Sequence, residues 1–228
     1  KDWFSSEEYL NVYQHRDDED ATKLLELILK QTKLNKQNSI LDAACGAGRH
    51  SIYLASKGFN VFGFDLSKTL LAKAKENAKK RSVENNFVCA DLRNICFRKN
   101  FDLIINLFTS FGYFKNDEEN FRFINTAYRL LNENGFYVLD FFNKNYLLAN
   151  LITENEKLID GKIIIEKRKV VDDRIIKEIQ IKNGLKKQNF IESVRLYSKI
   201  EIDIEFKKIG FIPVSVFGDY DGTNYDEQ

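Results

Sequence analysis

The sequence predicts an α/β fold: a doubly wound, mostly parallel sheet with helices on both faces and a small antiparallel β insertion. Three observations carry this. From Ile40 onward, short apolar runs alternate with amphipathic helical runs, and that alternation requires a parallel sheet covered on both sides. Ile40 to Asp65, ILDAACGAGRHSIYLASKGFNVFGFD, reads as a strand, a glycine loop, a helix and a second strand that ends on an acid. After the fifth strand the pattern changes to period-two alternation without intervening helices, which is the signature of an antiparallel sheet.

Taken in order, residues 17 to 32 form the first helix. Asp17, Asp18, Glu19 and Asp20 crowd its first turn, where the helix dipole favours acids, and Leu24, Leu25, Ile28 and Leu29 make one apolar face. Ile40 and Leu41 close the first strand, with Asp42 at its carboxyl end, and a helix starts near Arg49. Val61 to Phe64 is the second strand, and Ser67 caps the helix that follows. Phe87 to Asp91 is the third strand and Phe101 to Asn106 the fourth. Asn116 with Glu119 opens the next helix as a capping box, and Asn134-Gly135 ends it. Gly135 to Asp140 is the fifth strand. The insertion holds three strands, Ile163 to Val171, Arg174 to Lys182 and Gln188 to Tyr197, turning at Asp172-Asp173 and Asn183-Gly184. Ser198 and Glu201 cap a last helix through Lys208; Gly210 ends it, and Phe211 to Phe217 makes a final strand.

The glycine loop carries the chemistry. Gly46 and Gly48 have no Cβ, so the backbone turns tightly and a ligand approaches closely. The unpaired N–H groups of the next helix face that loop. Asp65 ends the second strand ~20 residues past the first glycine, where a carboxylate accepts hydrogen bonds from ribose hydroxyls. Two cofactor classes fit the spacing. In a dinucleotide site a pyrophosphate sits on the helix N-terminus, and Ser51 takes the third glycine position. The other class is S-adenosylmethionine (SAM), which has no phosphate. Asp42 favours SAM, because a carboxylate there repels a pyrophosphate but pairs with the ammonium of the methionine part.

The segment Asp42-Ala43-Ala44-Cys45-Gly46-Ala47-Gly48-Arg49-His50 resembles motif I of the class I SAM-dependent methyltransferases, in the form used by many small-molecule enzymes. FVCAD to Asp91, FDLIIN to Asn106 and GFYVLD to Asp140 are similar to the third, fourth and fifth strands of that family. The resemblance spans nearly the whole chain and implies a Rossmann-like methyltransferase sheet with SAM as cofactor. It implies Asp65 at the ribose, Asp91 at the adenine amino group, and Leu66 and Leu92 flanking the adenine ring. Ala44, Gly46 and Gly48 then lie along the methionine part, with Asn106 and Phe108 on the loop after the fourth strand. Related enzymes fold an aromatic, basic N-terminal segment over the cofactor, so Tyr13 and Arg16 are candidates for the SAM carboxylate.

His15 is the candidate base. The loop NLFTSFGYF supplies Phe111 and Tyr113 to the acceptor pocket, with Arg195 and Tyr197 from the insertion and Asp219 and Asp221 from the chain end. Core packing of Phe111 and a solvated turn at Asp219 to Asp221 are the competing readings. The organisation expected is a cofactor-covering segment and helix over 1–36, a SAM-binding core over 37–142 and 198–228, and an antiparallel lid over 143–197.

Composition narrows the partners. Net charge is +1, so no global field draws the chain onto nucleic acid or an anionic membrane. Asn106-Leu107-Phe108 lacks the paired prolines of base-modifying adenine enzymes, and no Cys follows a Pro as in cytosine C5 enzymes. No apolar run reaches the ~18 residues that span a bilayer. Cys45, Cys89 and Cys96 lack metal-ligand spacing, which favours free thiols in a reducing cytoplasm and no metal. The expectation is therefore a cytoplasmic enzyme that methylates an N or O atom of a small molecule, with NAD(P)-dependent oxidoreductase and non-catalytic SAM-binding module as the alternatives. No segment matches the family's seventh, antiparallel strand, and the sequence holds no Met, so a shortened chain is expected.

Overall fold

In a computed structural model the described residues are Trp3, Glu8, 18–84 and 86–227. Helix α1 (Asp18–Thr32) precedes strand β1 (Ser39–Ala43), α2 (Arg49–Ser56), β2 (Asn60–Asp65), α3 (Lys68–Lys80) and β3 (Asn86–Cys89). A 3-10 turn (Leu92–Asn94) leads to β4 (Phe101–Asn106), α4 (Asp117–Leu130) and β5 (Leu131–Leu139). These five strands form one sheet in the order β3-β2-β1-β4-β5, and every pair is parallel. All the carboxyl ends therefore lie along one edge. That edge gathers Asp42, Asp65, Asn106 and Asp140, which are far apart in sequence.

Side chains alternate across the sheet with period two. Ile40, Val61, Leu103 and Ile105 pack against Leu24, Leu25 and Ile28 of α1 and Leu54 of α2. Leu41, Ala43, Phe64, Phe101 and Ile104 pack on the other face against Phe123, Ala127 and Leu130 of α4. The doubly wound reading of the core is thus what the chain adopts.

The second sheet holds four antiparallel strands: β6 (Glu154–Ile159), β7 (Lys162–Val171), β8 (Arg174–Asn183) and β9 (Lys186–Arg195). The sequence reading had three. Its miss is β6, a run with charge at Glu154, Glu156 and Lys157, whose hairpin to β7 turns at Asp160-Gly161 with both residues left-handed. Asp-Gly is the residue pair that such a turn demands. A short helix, α5 (Lys144–Ala149), enters this sheet and α6 (Lys199–Ile209) leaves it. Ser198 and Glu201 form the expected capping box.

Two further differences concern strand ends. Helix α4 stops at Leu130, and Leu131 already pairs with Phe101. Asn132 to Gly135 then loop out, with Asn134 left-handed, and pairing resumes between Leu103 and Phe136. Phe211 to Phe217 forms no strand among the described residues. Its single bridge is Phe217 to Asn224, and Ile212 and Val214 are exposed. An extended run needs a hydrogen-bonding neighbour to become a strand, and among the described residues this run does not pair with the edge strand β5.

The antiparallel sheet docks on the loop after β4. The Arg195 amide donates to the Gly112 carbonyl at 2.8 Å, and the Arg174 guanidinium donates to the Phe114 and Gly112 carbonyls. Gly112 is left-handed, and a Cβ there would meet the Arg195 carbonyl at 2.9 Å. Trp3 packs beneath the sheet against Ile164, Ile179 and Ile181, and its indole N–H donates to Glu192. No helix of the described residues is long and apolar enough to cross a membrane.

Candidate active site

The glycine loop is built from both sides. The Cys45 amide donates to the Phe64 carbonyl of β2 at 2.9 Å, which ties the loop to the neighbouring strand. The Gly46 amide donates to Asp65 Oδ2 at 2.9 Å, and the Ser67 amide donates to Asp65 Oδ1 at 2.8 Å. These bonds favour the charged carboxylate, but burial outweighs them and raises its pKa. The two glycines differ. A Cβ on Gly48 (φ +80°) would lie 2.9 Å from Ala74 Cβ and from Phe87 Cζ, so Gly48 serves the packing of α2 against α3 and β3. A Cβ on Gly46 (φ +56°) would meet nothing within 4 Å. Gly46 is the glycine that faces open space.

Asp42 lies under this loop, 1% exposed. Its Oδ2 accepts from the Ser51 amide at 3.1 Å and the Ser51 hydroxyl at 2.6 Å. Gly48, at the N-cap of α2, has no side chain to cap with. Asp42 thus caps α2 from the neighbouring strand. Burial pushes its pKa up to about 7. The structure does not bring this carboxylate to the loop surface, where it would meet an ammonium. It occupies the anion position at the helix N-terminus with the chain's own acid, so a pyrophosphate does not fit.

Asp91 caps the 3-10 turn by accepting from the Arg93 amide at 2.9 Å. It is also gripped by the Arg93 guanidinium at 3.0 and 2.7 Å. Leu66, directly after Asp65, is 51% exposed, whereas Leu92 is half-buried against the core. Asn106 is buried at the end of β4. Its amide N–H donates to the Ala43 carbonyl at 3.4 Å, and its Oδ1 is buried with no hydrogen-bond partner. An open glycine face, a half-buried acid at the end of β2 and an unsatisfied buried acceptor fit a SAM-type ligand at this edge.

Phe108 and Thr109, next in the chain, are both left-handed (φ 53° and 58°) without being glycine. The Phe108 amide donates to Asp140 Oδ2 at 2.8 Å, and the Tyr220 hydroxyl donates to the same oxygen at 3.2 Å. The Phe108 ring packs against His50 at 5.0 Å and Tyr220 at 6.0 Å, with the Arg49 guanidinium 4.4 Å from its centre. Beside it lies a cavity of about 430 Å³ lined by Asp20, Phe108, Thr109, Asp140, Phe141, Phe142 and Tyr220. That volume suits a small molecule. Burial and the neighbouring Asp140 charge raise the Tyr220 pKa.

The residues expected to line the acceptor pocket lie elsewhere. Phe111 and Tyr197 belong to a buried aromatic cluster with Phe121 and Phe141. The Tyr197 hydroxyl donates to Asp117 and accepts from Asn120. Tyr113 packs on Ile175, Val194 and Leu196 at the seam with the second sheet. Arg195 pairs with Glu201 at 3.0 Å, which ties β9 to α6. Asp219 accepts from the Thr223 amide and hydroxyl and the Asp221 amide in an exposed turn, and Asp221 pairs with Lys23 on the surface. Of the predicted residues that are described, only Phe108 reaches the cavity. Tyr13, His15 and Arg16 lie outside the described residues. The sequence reading missed Asp140, although an acid closing GFYVLD stands where Asp42 and Asp65 stand on their strands. Of the run Asp219-Tyr220-Asp221 that the sequence offered for the pocket mouth, Tyr220 is the residue in the cavity wall.

Comparison with known proteins agrees with this geometry. Residues 40–135 match a family described as a methyltransferase domain. The glycine/sarcosine N-methyltransferase of Aphanothece halophytica is 33% identical over 125 residues, 54% of this chain and 47% of that protein. The dTDP-3-amino-3,4,6-trideoxy-alpha-D-glucopyranose N,N-dimethyltransferase of Streptomyces venezuelae is 28% identical over 100 residues, 44% of this chain and 40% of that protein. A SAM-dependent methyltransferase structure from Clostridium acetobutylicum superposes with a TM-score of 0.83 at 20% identity, covering 96% of this chain and 93% of that one. The chain spans about half the length of the curated relatives it matches. Over residues 40–135 the chain thus matches a methyltransferase domain, and its overall fold is that of a SAM-dependent methyltransferase.

Proposed function

We propose that this chain transfers the methyl group of SAM to a nitrogen atom of a small-molecule amine. The observation that carries the reading is the cavity at the ends of β4 and β5, where the Asp140 carboxylate stands among the rings of Phe108, Phe141, Phe142 and Tyr220. A carboxylate among aromatic faces suits an amine, which is cationic in water and neutral when it reacts. The two sequence relatives described above both bear names of N-methyltransferases. SAM supplies an activated methyl group, so the protein's part is to orient the acceptor and exclude water.

In this reading Asp65 takes the ribose hydroxyls and Asp91 the adenine amino group, with Leu66 and Leu92 beside the ring. Ala44 and Gly46 lie along the methionine part, and Asn106 Oδ1 accepts a hydrogen bond from the cofactor. Gly48 and Asp42 hold the loop rather than the ligand. The antiparallel sheet acts as a wall, since it props the loop that carries Phe108.

The test has two stages. S-adenosylhomocysteine is titrated first, and binding is expected. Labelled SAM is then incubated with a panel of small amines and with alcohols of matched shape, and products are read by mass spectrometry. Label is expected on amines. Label on alcohols alone overturns the nitrogen assignment, and absence of cofactor binding overturns the whole reading.

A further inference from the structure

We propose that the fold holds one ordered water molecule between the Tyr137 hydroxyl and Asn106 Oδ1, and that Tyr137 acts through it as a positioning residue for Asn106. A second cavity, of about 10 Å³, lies under the loop after β4, with Asn106, Ser110, Phe111, Asn120 and Tyr137 in its wall. That is roughly the room that one water needs, and nothing larger enters it. Two of these residues carry a buried side-chain oxygen that has no hydrogen-bond partner, Asn106 Oδ1 and the Tyr137 hydroxyl. Asn106 as a whole is 2% exposed. Tyr137 of β5 is the register partner of Ile104, and Asn106 follows Ile104 by two residues, on the same face of the sheet. The two side chains are therefore diagonal neighbours on adjacent strands, yet they do not bond each other. A buried donor and a buried acceptor, unpaired at one water-sized cavity, are the partners an internal water requires.

The hydrogen bonds of that water close. Burial raises the pKa of the Tyr137 phenol, so it keeps its proton and donates to the water. The water donates to Asn106 Oδ1. Its second hydrogen goes to Ser110, whose hydroxyl donates to the Leu107 carbonyl at 2.9 Å and keeps its lone pairs. Asn120 is already engaged: its oxygen accepts from the Phe114 amide, and its N–H groups donate to the Phe114 carbonyl and the Tyr197 hydroxyl. The described residues of the wall are all uncharged, so a neutral molecule fits there and a small cation does not. The consequence falls on Asn106. Its bond to the Ala43 carbonyl, at 3.4 Å, is long and holds the amide plane weakly. The water fixes that plane with Oδ1 as the acceptor. An amide oxygen has two lone pairs, so one remains for the cofactor; this last step rests on the cofactor contact proposed for Asn106 above, and the water site does not.

The experiment has two arms. High-resolution crystal structures of the full chain, with and without S-adenosylhomocysteine, are expected to show one water within about 2.6–3.2 Å of both the Tyr137 hydroxyl and Asn106 Oδ1. An empty cavity, a direct bond between the two side chains, or cofactor atoms in that space overturns the site. The second arm is a double-mutant cycle read by S-adenosylhomocysteine titration. Tyr137→Phe is expected to weaken the ligand about three- to tenfold, and Asn106→Ala at least as much. The double variant is expected to bind no more weakly than Asn106→Ala alone, because Tyr137 acts only through Asn106. Additive losses, or unchanged affinity in Tyr137→Phe, overturn the positioning role; a merely structural Tyr137 lowers the melting temperature without this coupling. The crystallographic arm uses the unaltered chain and decides the site should a variant not fold. A water in place in a chain that does not bind S-adenosylhomocysteine defeats the methyl-transfer reading and leaves the water site standing.

Discussion

Asp42→Asn separates a structural acid from a ligand-binding one. The carboxyl is 1% exposed, and burial raises its pKa from 3.8 to about 7. The folded chain therefore holds this proton more tightly than the unfolded chain does. Folding takes up a proton between these two values, so this group's contribution to stability falls as pH rises from about 4 to about 7 and then levels. The full displacement corresponds to roughly 4 kcal/mol in favour of the neutral form. Asparagine is neutral at every pH and keeps an oxygen for the Ser51 amide and hydroxyl. Its new N–H₂ group needs a partner in a buried place, a penalty of about 1–3 kcal/mol that does not vary with pH. The stability difference between variant and wild type is therefore expected to move in the variant's favour by about 2–3 kcal/mol between pH 5 and pH 8. Urea unfolding at the two pH values measures it, with S-adenosylhomocysteine titration alongside. A difference that stays constant with pH refutes the buried-acid reasoning. A collapse of cofactor affinity in a well-folded variant refutes the assignment of Asp42 as a cap and restores its pairing with an ammonium.

Gly48→Ala is expected to lose about 2–4 kcal/mol of stability, from a left-handed alanine and the contacts at Ala74 and Phe87, as read by thermal melting. Gly46→Ala is expected to lose only about 1 kcal/mol of stability but to weaken S-adenosylhomocysteine at least tenfold, because its Cβ enters open ligand space. Asp65→Ala is expected to weaken the same ligand by about 1–3 kcal/mol through lost charge-assisted hydrogen bonds; unchanged affinity rejects the ribose role. Tyr197→Phe is expected to cost about 1–2 kcal/mol of stability through its bonds to Asp117 and Asn120, while acceptor KM stays constant; a changed KM would return Tyr197 to the pocket.

The local geometry of the glycine loop was legible in the sequence and the cavity wall was not, for a physical reason. Gly46, Asp65 and Ser67 act through contacts within a single strand–loop–helix–strand unit, so their spacing along the chain is their geometry. Caps are equally local, and Ser67, Asn116 and Ser198 all cap as their residue types predict. The cavity wall draws instead on α1, the ends of β4 and β5, and the turn near residue 220. No spacing rule joins these. Asp219 and Asp221 were chosen by charge, yet their exposed turn serves to present Tyr220 between them. Arg195 and Tyr197 were assigned to the pocket from the insertion, yet Tyr197 lies in the aromatic core and Arg195 pairs with Glu201. Even β6 left a local signal, Asp160-Gly161, which its charged, weakly alternating sequence obscured.

Phe108 joins the glycine loop to the cavity wall. Two consecutive left-handed residues, one of them the β-branched Thr109, cost about 1–3 kcal/mol each. Such a backbone persists only where its surroundings over-determine it. Here they do. The Phe108 amide is held by Asp140, and its ring is held by His50, Arg49 and Tyr220. Two of those ring contacts come from the first turn of α2, the helix that follows the glycine loop. The other two contacts come from the cavity wall. A shift of the glycine loop and the first turn of α2 therefore moves the same ring that lines the cavity. Methyl transfer requires donor and acceptor in one line within a few tenths of an ångström. A strained residue clamped from both sides meets that need better than two separately supported walls, each free to drift against the other.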